Sequence, residues 1–450
     1  MTALRAVSLF SNCGAGDVGY RDSGFEFDVM AELDPRRLSV ALANHPTAAG
    51  VPGDLRTTWR QVVTEWTSKH GDQRPALLAA CPPCQGMSSA NGSRGLQSDH
   101  EAGGRDPRNL LVTVITEVAR ALKPRAIVVE NVQPFLTRAV PNPADGTPIS
   151  AALLLTQAVA DNYEVFAMMG DLADWGVPQS RKRAFLTLIR RDEPWLEQAR
   201  LLGRTPFPRP THGRDYGDAP VSIREALLEL GASSLDARDT ATAADPKDPL
   251  HVVPVWSEER YRMVAEIPPY TGRGAWSNER CPGCGMPELD PDAAICSRCA
   301  KPLLRPRVSD GDGGWRLVKG FRSTSYTRMF ADAPAATVTT ASGHVGSDKT
   351  IHPWENRVLS VRECAHLQTL PENFEWGDAL TRWGHTNVRE MIGEAVPPAF
   401  TRAHGYAIQT ALGVQAQVAL LSDSDSRILS AAKRLNDARA KAEAEHASTA

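Results

Sequence analysis

The sequence predicts an α/β protein in two parts, a parallel sheet flanked by helices and a smaller, irregular second domain. Two observations lead to this prediction. Over the first ~190 residues, short apolar runs alternate with segments of helical periodicity, which is typical of a parallel sheet covered by helices. After about residue 192 the alternation gives way to sequence rich in Pro, Gly and Arg, with four closely spaced cysteines.

The elements of the first part follow from local signals. A strand leads into a Gly-rich turn through Gly19, and a second strand ends near Glu32 before Pro35 opens a helix. Apolar residues recur at helical spacing from Leu110 to Leu122, where Lys123-Pro124 ends the helix. Helical signals return at 360–370 and near 390–412, and the charged stretch 422–450 is expected to be a solvated or frayed helix. The predicted strands are 6–10, 27–31, 76–80, 126–129, 163–169 and 184–189.

Composition limits the class of protein. The chain has 450 residues, of which 50 are Lys or Arg and 53 are Asp or Glu, for a net charge of −3. Nothing approaches the roughly 18 consecutive apolar residues of a membrane span, and the start runs directly into a strand, which leaves no room for a signal peptide. We therefore expect a cytoplasmic protein whose eight cysteines serve as thiols or metal ligands.

A glycine-rich turn follows the first strand. Residues 14–19 satisfy G-x-G-x-x-G, in which glycines let the backbone approach a ligand, and the carboxylate of Glu32 can take ribose hydroxyls. Asp54 adds a carboxylate that could meet an adenine amino group. The pattern fits nicotinamide, flavin and S-adenosylmethionine sites equally, and a tight turn without a ligand also satisfies it.

A second turn carries a nucleophile. Cys81-Pro82-Pro83-Cys84 follows an apolar strand, at the sheet edge where ligands bind in open α/β sheets. The prolines preset the backbone around Cys84, and a thiol is an intrinsically strong nucleophile. The alternatives are a buried structural thiol and a redox or metal pair formed with Cys81.

Polar groups follow two further strands. Glu130 ends a very apolar strand, where a carboxylate can share or donate a proton unless it merely caps a helix or is satisfied in the core. Gln179, Arg181 and Arg183 alternate before the strand 184–189 and are expected on one face. Such a row could hold an anion or orient a polar ring, or it could be a solvated run of charge.

The second part carries a predicted metal site. Cys281, Cys284, Cys296 and Cys299 form two CxxC pairs separated by eleven residues, a spacing typical of one structural zinc ion. Chance pairing is the alternative. Between residues 298 and 328, eight basic residues stand against two acidic ones, with Trp315, Phe321 and Tyr326 interleaved. This basic and aromatic stretch indicates nucleic-acid binding, with a solvated face as the alternative.

The order of these motifs resembles the motif series of the cytosine-C5 DNA methyltransferases, of the bacterial restriction-modification type. The resemblance covers residues 8–190 and 351–405 and leaves that family's variable target-recognition region at 192–347. The motifs that carry it are Leu9-Phe10-Ser11-x-Cys13-Gly14, Glu32, Gly53-Asp54, Pro82-Pro83-Cys84-Gln85, Glu130-Asn131-Val132, Gln179-x-Arg181-x-Arg183, Arg357-Val358-Leu359-Ser360-Val361-Arg362-Glu363 with Leu367-Gln368, and Gly393-x-Ala395-Val396-Pro397-Pro398.

The resemblance implies an architecture and a set of site residues. It implies a Rossmann-like, S-adenosylmethionine-dependent methyltransferase domain over 1–191, a zinc-containing target-recognition domain over 192–350, a return to the catalytic domain over 351–421 and a charged tail over 422–450. Residues 88–104 would form a loop that closes over a flipped base. The implied catalytic residues are Cys84, Glu130, Arg181 and Arg183. The implied cofactor-binding residues are Phe10, Gly14, Glu32, Asp54, Pro83 and Val396.

The implied reaction transfers a methyl group from S-adenosylmethionine to C5 of a flipped cytosine through a covalent bond between Cys84 and C6. The implied partner is double-stranded DNA, bound by a monomer that associates with the nucleoid and serves, with a nuclease or other defence components, in restriction-modification. The alternatives are a tRNA cytosine-C5 methyltransferase, a catalytically silent DNA-binding relative and a nicotinamide-dependent oxidoreductase. The chain departs from the family pattern at Asn12, Ala15, Cys81, Met87 and Glu394, where Cys81 replaces a glycine and Met87 a phenylalanine.

Overall fold

The computed structural model describes residues 4–83, 106–213, 215–311, 313–319, 324–414 and 418–449. Packing divides the chain into two compact units. We call the first, made of Met1–Trp175, Lys182–Thr211 and Val396–Ala450, the sheet unit. The second, made of Gly176–Arg181 and His212–Ala395, is the irregular unit. Among the described helices, none is long and apolar enough to cross a membrane.

The sheet unit is built on a seven-stranded sheet. Its strands are β1 Leu4–Leu9, β2 Phe25–Glu32, β3 Ala49–Pro52, β4 Leu77–Ala80, β5 Ala126–Asn131, β8 Tyr163–Asp171 and β9 Lys182–Arg190. Their order across the sheet is β3-β2-β1-β4-β5-β9-β8. Two strand pairs accompany it, β6 Ala139–Pro141 with β7 Pro148–Ser150, and β10 Arg204–Pro208 with β13 Leu420–Ser422.

The prediction of a parallel sheet is confirmed for β1 to β5 and wrong for the last two strands. β9 runs antiparallel to both β5 and β8. The ten residues 172–181 that join β8 to β9 are too few for a crossover between parallel strands, which needs about a dozen or more. The central strands β4 and β5 are buried along their whole length, as their unbroken apolar runs predict.

Helices cover this sheet and enclose its core. Trp66, Ile115 and Leu153, which come from three different helices, are buried with the apolar residues of the central strands in one cluster. The helices of the sheet unit are α1 Ala15–Asp22, α2 Pro35–Asn44, α3 Leu55–His70, α4 Val112–Leu122, α5 Ala151–Ala158, α6 Trp195–Leu202, α11 Pro398–Ala411 and α12 Ser426–Thr449.

The C-terminal stretch differs from the frayed, solvated helix that was expected. α12 packs against β8, and Ala431 is fully buried in the main core while Leu435 and Ala438 pack against that core. With Ile428 these residues form an apolar stripe at helical spacing. This stripe is the sequence signal for a packed helix, and it is easily overlooked among the many charged residues of the segment. Arg427 also pairs with Asp174.

The irregular unit has little regular structure. Its elements are α7 Ile223–Leu230, α8 Glu258–Ala265, α9 Val361–Leu367, α10 Ala379–Glu394 with a break at Gly384, and the two-stranded ribbon of β11 Arg307–Ser309 and β12 Trp315–Leu317. Its main segment runs from His212 to Ala395, whereas the sequence predicts a recognition domain over 192–350. The continuation past residue 350 has a physical cause, because the buried Arg328 guanidinium donates to the carbonyl oxygens of His352 and Glu355.

Candidate active site at the carboxyl edge of the sheet

The register of β4 and β5 brings two site residues together. Ala80 pairs with Val129 in this parallel pair, so Cys81 and Glu130 follow side by side at the carboxyl edge of the sheet. The Cys81 thiol donates a hydrogen bond to Oε2 of Glu130 over 3.2 Å. Asn131 donates from Nδ2 to the carbonyl oxygen of Pro82 over 2.9 Å, which ties the end of β5 to the turn after β4.

The antiparallel pairing of β5 with β9 places the cationic side chain of Arg183 beside Glu130. Glu130 pairs with Phe185, so Arg183 is its diagonal neighbour on the same face of the sheet. Nε of Arg183 lies 2.8 Å from Oε1 of Glu130, and the Glu130 side chain is only 11% exposed. A carboxylate on this edge is thus held from two sides, by a guanidinium and by a thiol.

Several predicted residues lie outside the described part of the chain. These are Cys84, the predicted nucleophile, and the predicted closing loop 88–104. Pro83, the last described residue before them, is half-buried.

Gln179 and Arg181 do not share a strand face with Arg183. β9 begins at Lys182, so both residues precede the strand and belong to the irregular unit. The buried Arg181 guanidinium donates to the carbonyl oxygens of Val338 and Gly393 over 3.1 and 3.0 Å. The Gln179 amide likewise binds within that unit, donating to the carbonyl oxygen of Leu367 and accepting from the N–H of Val338.

The turn after β1 reverses the chain tightly. Phe10, Asn12 and Gly14 have positive φ of 57°, 49° and 74°, a conformation that asparagine and glycine tolerate well. The N–H groups of Asn12 and Asp34 donate to the two oxygens of Glu32 over 2.8 and 3.1 Å. The Glu32 carboxylate is therefore fixed at the end of β2, next to the turn.

The glycines of this turn also permit close packing. A Cβ on Gly19 would lie 2.2 Å from the carbonyl oxygen of Pro398, and one on Gly16 would lie 3.3 Å from Cβ of Val396. Thr401 donates from its hydroxyl to the carbonyl oxygen of Gly16 over 2.7 Å. The motif thus brings α11 and the predicted cofactor residue Val396 against the turn.

Asp17 is a buried acid that the sequence analysis did not single out. Burial raises its pKa from 3.8 to about 7, partly offset by the Ser8 hydroxyl, which donates to Oδ2 over 2.8 Å. The sequence signal that could have identified Asp17 is its position, as a polar residue, on the inward face of α1. Asp54, by contrast, is partly exposed, and it caps the N-terminus of α3. It also pairs with Arg56, whose guanidinium lowers the pKa of the Asp54 carboxyl.

The four clustered cysteines meet in the irregular unit. Their sulfur atoms all lie within 4.8 Å of one another, with Cys281 and Cys299 3.5 Å apart and Cys284 and Cys296 3.8 Å apart. A tetrahedral zinc ion with Zn–S bonds of about 2.3 Å needs sulfur atoms about 3.8 Å apart. The N–H of Gly283 also donates to the sulfur of Cys281. The donor set and its spacing therefore fit one zinc ion.

Part of the described aromatic and basic stretch 298–328 is buried and serves the fold of the irregular unit. Arg305 is buried and donates to the carbonyl oxygens of Asn278, Glu288, Asp290 and Ala293. Arg328 is also buried, and Arg307 pairs with Glu259 beneath the exposed Trp315 ring. Tyr326 packs against Trp276, while Phe321 and Arg322 lie outside the described residues. The exposed basic residues that remain are Arg298, Lys301, Arg316 and Lys319.

Comparison with known proteins places these observations in a family. A family model described as C-5 cytosine-specific DNA methylase matches residues 4–410. The Type II methyltransferase M1.HgaI of Avibacterium volantium is 26% identical over 407 residues, which cover 88% of this chain and 95% of that protein. The Type II methyltransferase M.NgoPII of Neisseria gonorrhoeae is 29% identical over 401 residues, which cover 88% and 92%.

A solved structure shares the fold. A prophage-encoded protein of E. coli, described as a DNA modification methyltransferase, aligns with a TM-score of 0.57 over 91% of this chain and 100% of its own. The two sequences are 16% identical in that alignment, so the likeness concerns the fold alone.

Proposed function

The chain belongs to the C-5 cytosine-specific DNA methylase family, and from this premise we propose that it methylates C5 of a flipped cytosine through a covalent bond between Cys84 and C6. That it is a DNA cytosine-5 methyltransferase follows from the family and from its Type II methyltransferase relatives. The mechanism is supported chiefly by one observation. Glu130 is clamped at the sheet edge, beside the Cys81-Pro82 segment that leads into Cys84.

In the proposed mechanism the thiolate of Cys84 adds to C6 of cytosine, which makes the otherwise unreactive C5 electron-rich. Glu130 contacts N3 and the exocyclic amine and shares a proton with N3, which neutralises the negative charge that develops on the ring. Arg183 keeps this carboxylate oriented. After methylation a base removes the C5 proton and the thiolate leaves. The cytosine has to leave the duplex first, at a cost of a few kcal/mol.

S-adenosylmethionine would supply the methyl group, and the residues at the sheet edge suit it chemically. The clamped Glu32 carboxylate can accept hydrogen bonds from a ribose diol, and the half-buried Phe10 offers a ring face. Gly14, Asp54, Pro83 and Val396 complete the proposed set, with Asp54 also serving as the N-cap of α3. For Arg181 we propose a structural role rather than contact with the reacting atoms, because its guanidinium donates to the backbone carbonyl oxygens of Val338 and Gly393.

The irregular unit would recognise the target sequence in double-stranded DNA. We propose that Cys281, Cys284, Cys296 and Cys299 hold one structural zinc ion there, in a segment with only a small apolar cluster of its own. The similarity to Type II methyltransferases supports a role of this enzyme in restriction-modification. We further propose that the enzyme acts as a monomer in the cytoplasm, on nucleoid DNA, alongside a nuclease or other defence components.

The mechanism is tested by trapping on duplex DNA that carries 5-fluorocytosine at the target position. With S-adenosylmethionine present, C5 becomes methylated while fluorine cannot leave as the proton does, so the wild-type enzyme should stay covalently attached to the DNA after denaturation. Cys84→Ser should give no adduct, and the same duplex with ordinary cytosine is the control. Full methylation by Cys84→Ser would overturn the proposal.

A further inference from the structure

We propose that Cys81 is a positioning residue whose thiol holds the Glu130 carboxylate in the orientation required on cytosine. The inference rests on the proposed function, in which Glu130 contacts the flipped base. It concerns a position where this chain departs from its family pattern, since cysteine stands where a glycine is expected.

The contact itself is direct. Sγ of Cys81 lies 3.2 Å from Oε2 of Glu130, and Nε of Arg183 lies 2.8 Å from Oε1. The terminal torsion of a glutamate side chain is broad and nearly two-fold, so one partner on one oxygen leaves the carboxylate plane free to rotate. Partners on both oxygens fix that plane.

The clamp leaves room for a substrate. A carboxylate offers about four lone-pair positions, of which Cys81 and Arg183 use two. The remaining positions can accept from the exocyclic amine and from a protonated N3. The thiol is also neutral, so it orients Glu130 without adding a second positive charge beside that of Arg183.

Cys81 is itself held firmly. Its N–H lies 3.3 Å from the carbonyl oxygen of Leu9, which extends the pairing of β4 with β1 by one residue. The next residue, Pro82, accepts from Asn131. Cys81 is only half-buried, unlike Cys13 and Cys364, which lie in the core. Packing alone therefore does not account for a thiol at this position.

The test compares Cys81→Ala with Cys81→Ser in single-turnover methylation of duplex DNA. Alanine removes the donor, and we expect the rate to fall about tenfold with little change in DNA affinity, since tenfold corresponds to about 1.4 kcal/mol, the size of one hydrogen bond to a charged group. Serine keeps a donor and should restore the rate to within about threefold of wild type. The melting temperature of each variant monitors folding.

The outcomes are distinct. A wild-type rate for Cys81→Ala would overturn the inference, and so would equal losses for alanine and serine, which would indicate packing alone. In a Glu130→Gln background Cys81→Ala should change the rate less than twofold, and a full tenfold loss there would also overturn it. If Cys81→Ala fails to fold, Cys81→Gly replaces it with the same expectation. Absence of methylation by the wild-type enzyme would contradict the proposed function instead, and the inference with it.

Discussion

The sheet unit and the irregular unit differ in the charged side chains that they bury. The sheet unit buries carboxylates, among them Asp17, Asp28, Glu32 and Glu130. The irregular unit buries guanidinium groups beside the carboxylates of Glu288 and Glu363, and over the described residues every buried arginine lies there. These are Arg181, Arg305, Arg328, Arg357 and Arg389.

The difference follows from how each unit satisfies its backbone. In the sheet unit, strand ladders and helices pair most N–H and C=O groups, and carboxylates accept the N–H groups left over at strand ends, as Glu32 does. The irregular unit has few ladders, so many buried carbonyl oxygens need another donor. An arginine offers five N–H donors and no acceptor, and Arg305 alone serves four carbonyl oxygens.

The comparison shows that an arginine in sequence without regular secondary structure can have either of two roles. It can stabilise the fold from a buried position, or it can contact a phosphate from the surface. Of the eight basic residues between 298 and 328, Arg305, Arg307 and Arg328 serve the fold of the unit. Charge counted along the chain cannot separate these from residues free to meet a phosphate, because burial is decided by distant partners.

Metal removal should have the largest effect and should be confined to the irregular unit. We expect about one zinc ion per chain, and because metal binding supplies folding free energy on the order of 10 kcal/mol in small zinc modules, chelation or Cys296→Ser should unfold the cysteine segment. Hydrogen exchange should then rise over residues 280–305 while β4 and β5 stay protected. Metal-free protein with the same protection would contradict the zinc site.

Removing one buried guanidinium should have the next largest effect. Arg328→Met leaves the carbonyl oxygens of Val264, Ile267, His352 and Glu355 and Oδ1 of Asn356 without this donor. We expect the free energy of unfolding, measured in urea, to fall by about 5 kcal/mol.

The matched control is Arg120→Met, on the exposed face of α4 in the sheet unit. Arg120 pairs with Glu117 and reaches the carbonyl oxygen of Ala158, both at the surface, so its loss should cost less than about 1 kcal/mol. If the two variants lost equal free energy of unfolding, the buried arginines would not be supplying the hydrogen bonds that strand ladders supply in the sheet unit.

What could be predicted from the sequence depends on how far apart along the chain the interacting residues lie. The strands 76–80 and 126–129 and the helix ending at Leu122 are found close to their predicted positions, because local periodicity reports which faces are buried. The four cysteines meet as their spacing predicts. These are features whose signal lies within a few residues of one another.

The missed features depend on residues far apart in the chain. The antiparallel placement of β9, the contact of Cys81 with Glu130 and the burial of Arg328 all depend on strand order or on partners tens of residues away. Periodicity along one segment contains no information about these partners. Asp17 belongs in part to the same group, because the sequence places it on the inward face of α1 but the extent of its burial depends on residues outside that helix.

Asp17→Asn should have the smallest effect, and its sign should be opposite to that of Arg328→Met. The folded protein raises the pKa of Asp17 to about 7, so between pH 4 and 7 the unfolded chain ionises while the folded one keeps its proton. The contribution of Asp17 to stability therefore falls as the pH rises through this range and stays low above it. Asparagine does not ionise and can still accept from Ser8, so the variant should gain on wild type with rising pH, by at most about 4 kcal/mol at pH 8. Urea unfolding at pH 4 and pH 8 measures this difference, with the exposed Asp22→Asn on the same helix as the control. A gain that is the same at both pH values would show that the buried carboxylate of the sheet unit, unlike the buried arginines of the irregular unit, has no charge-dependent effect on folding.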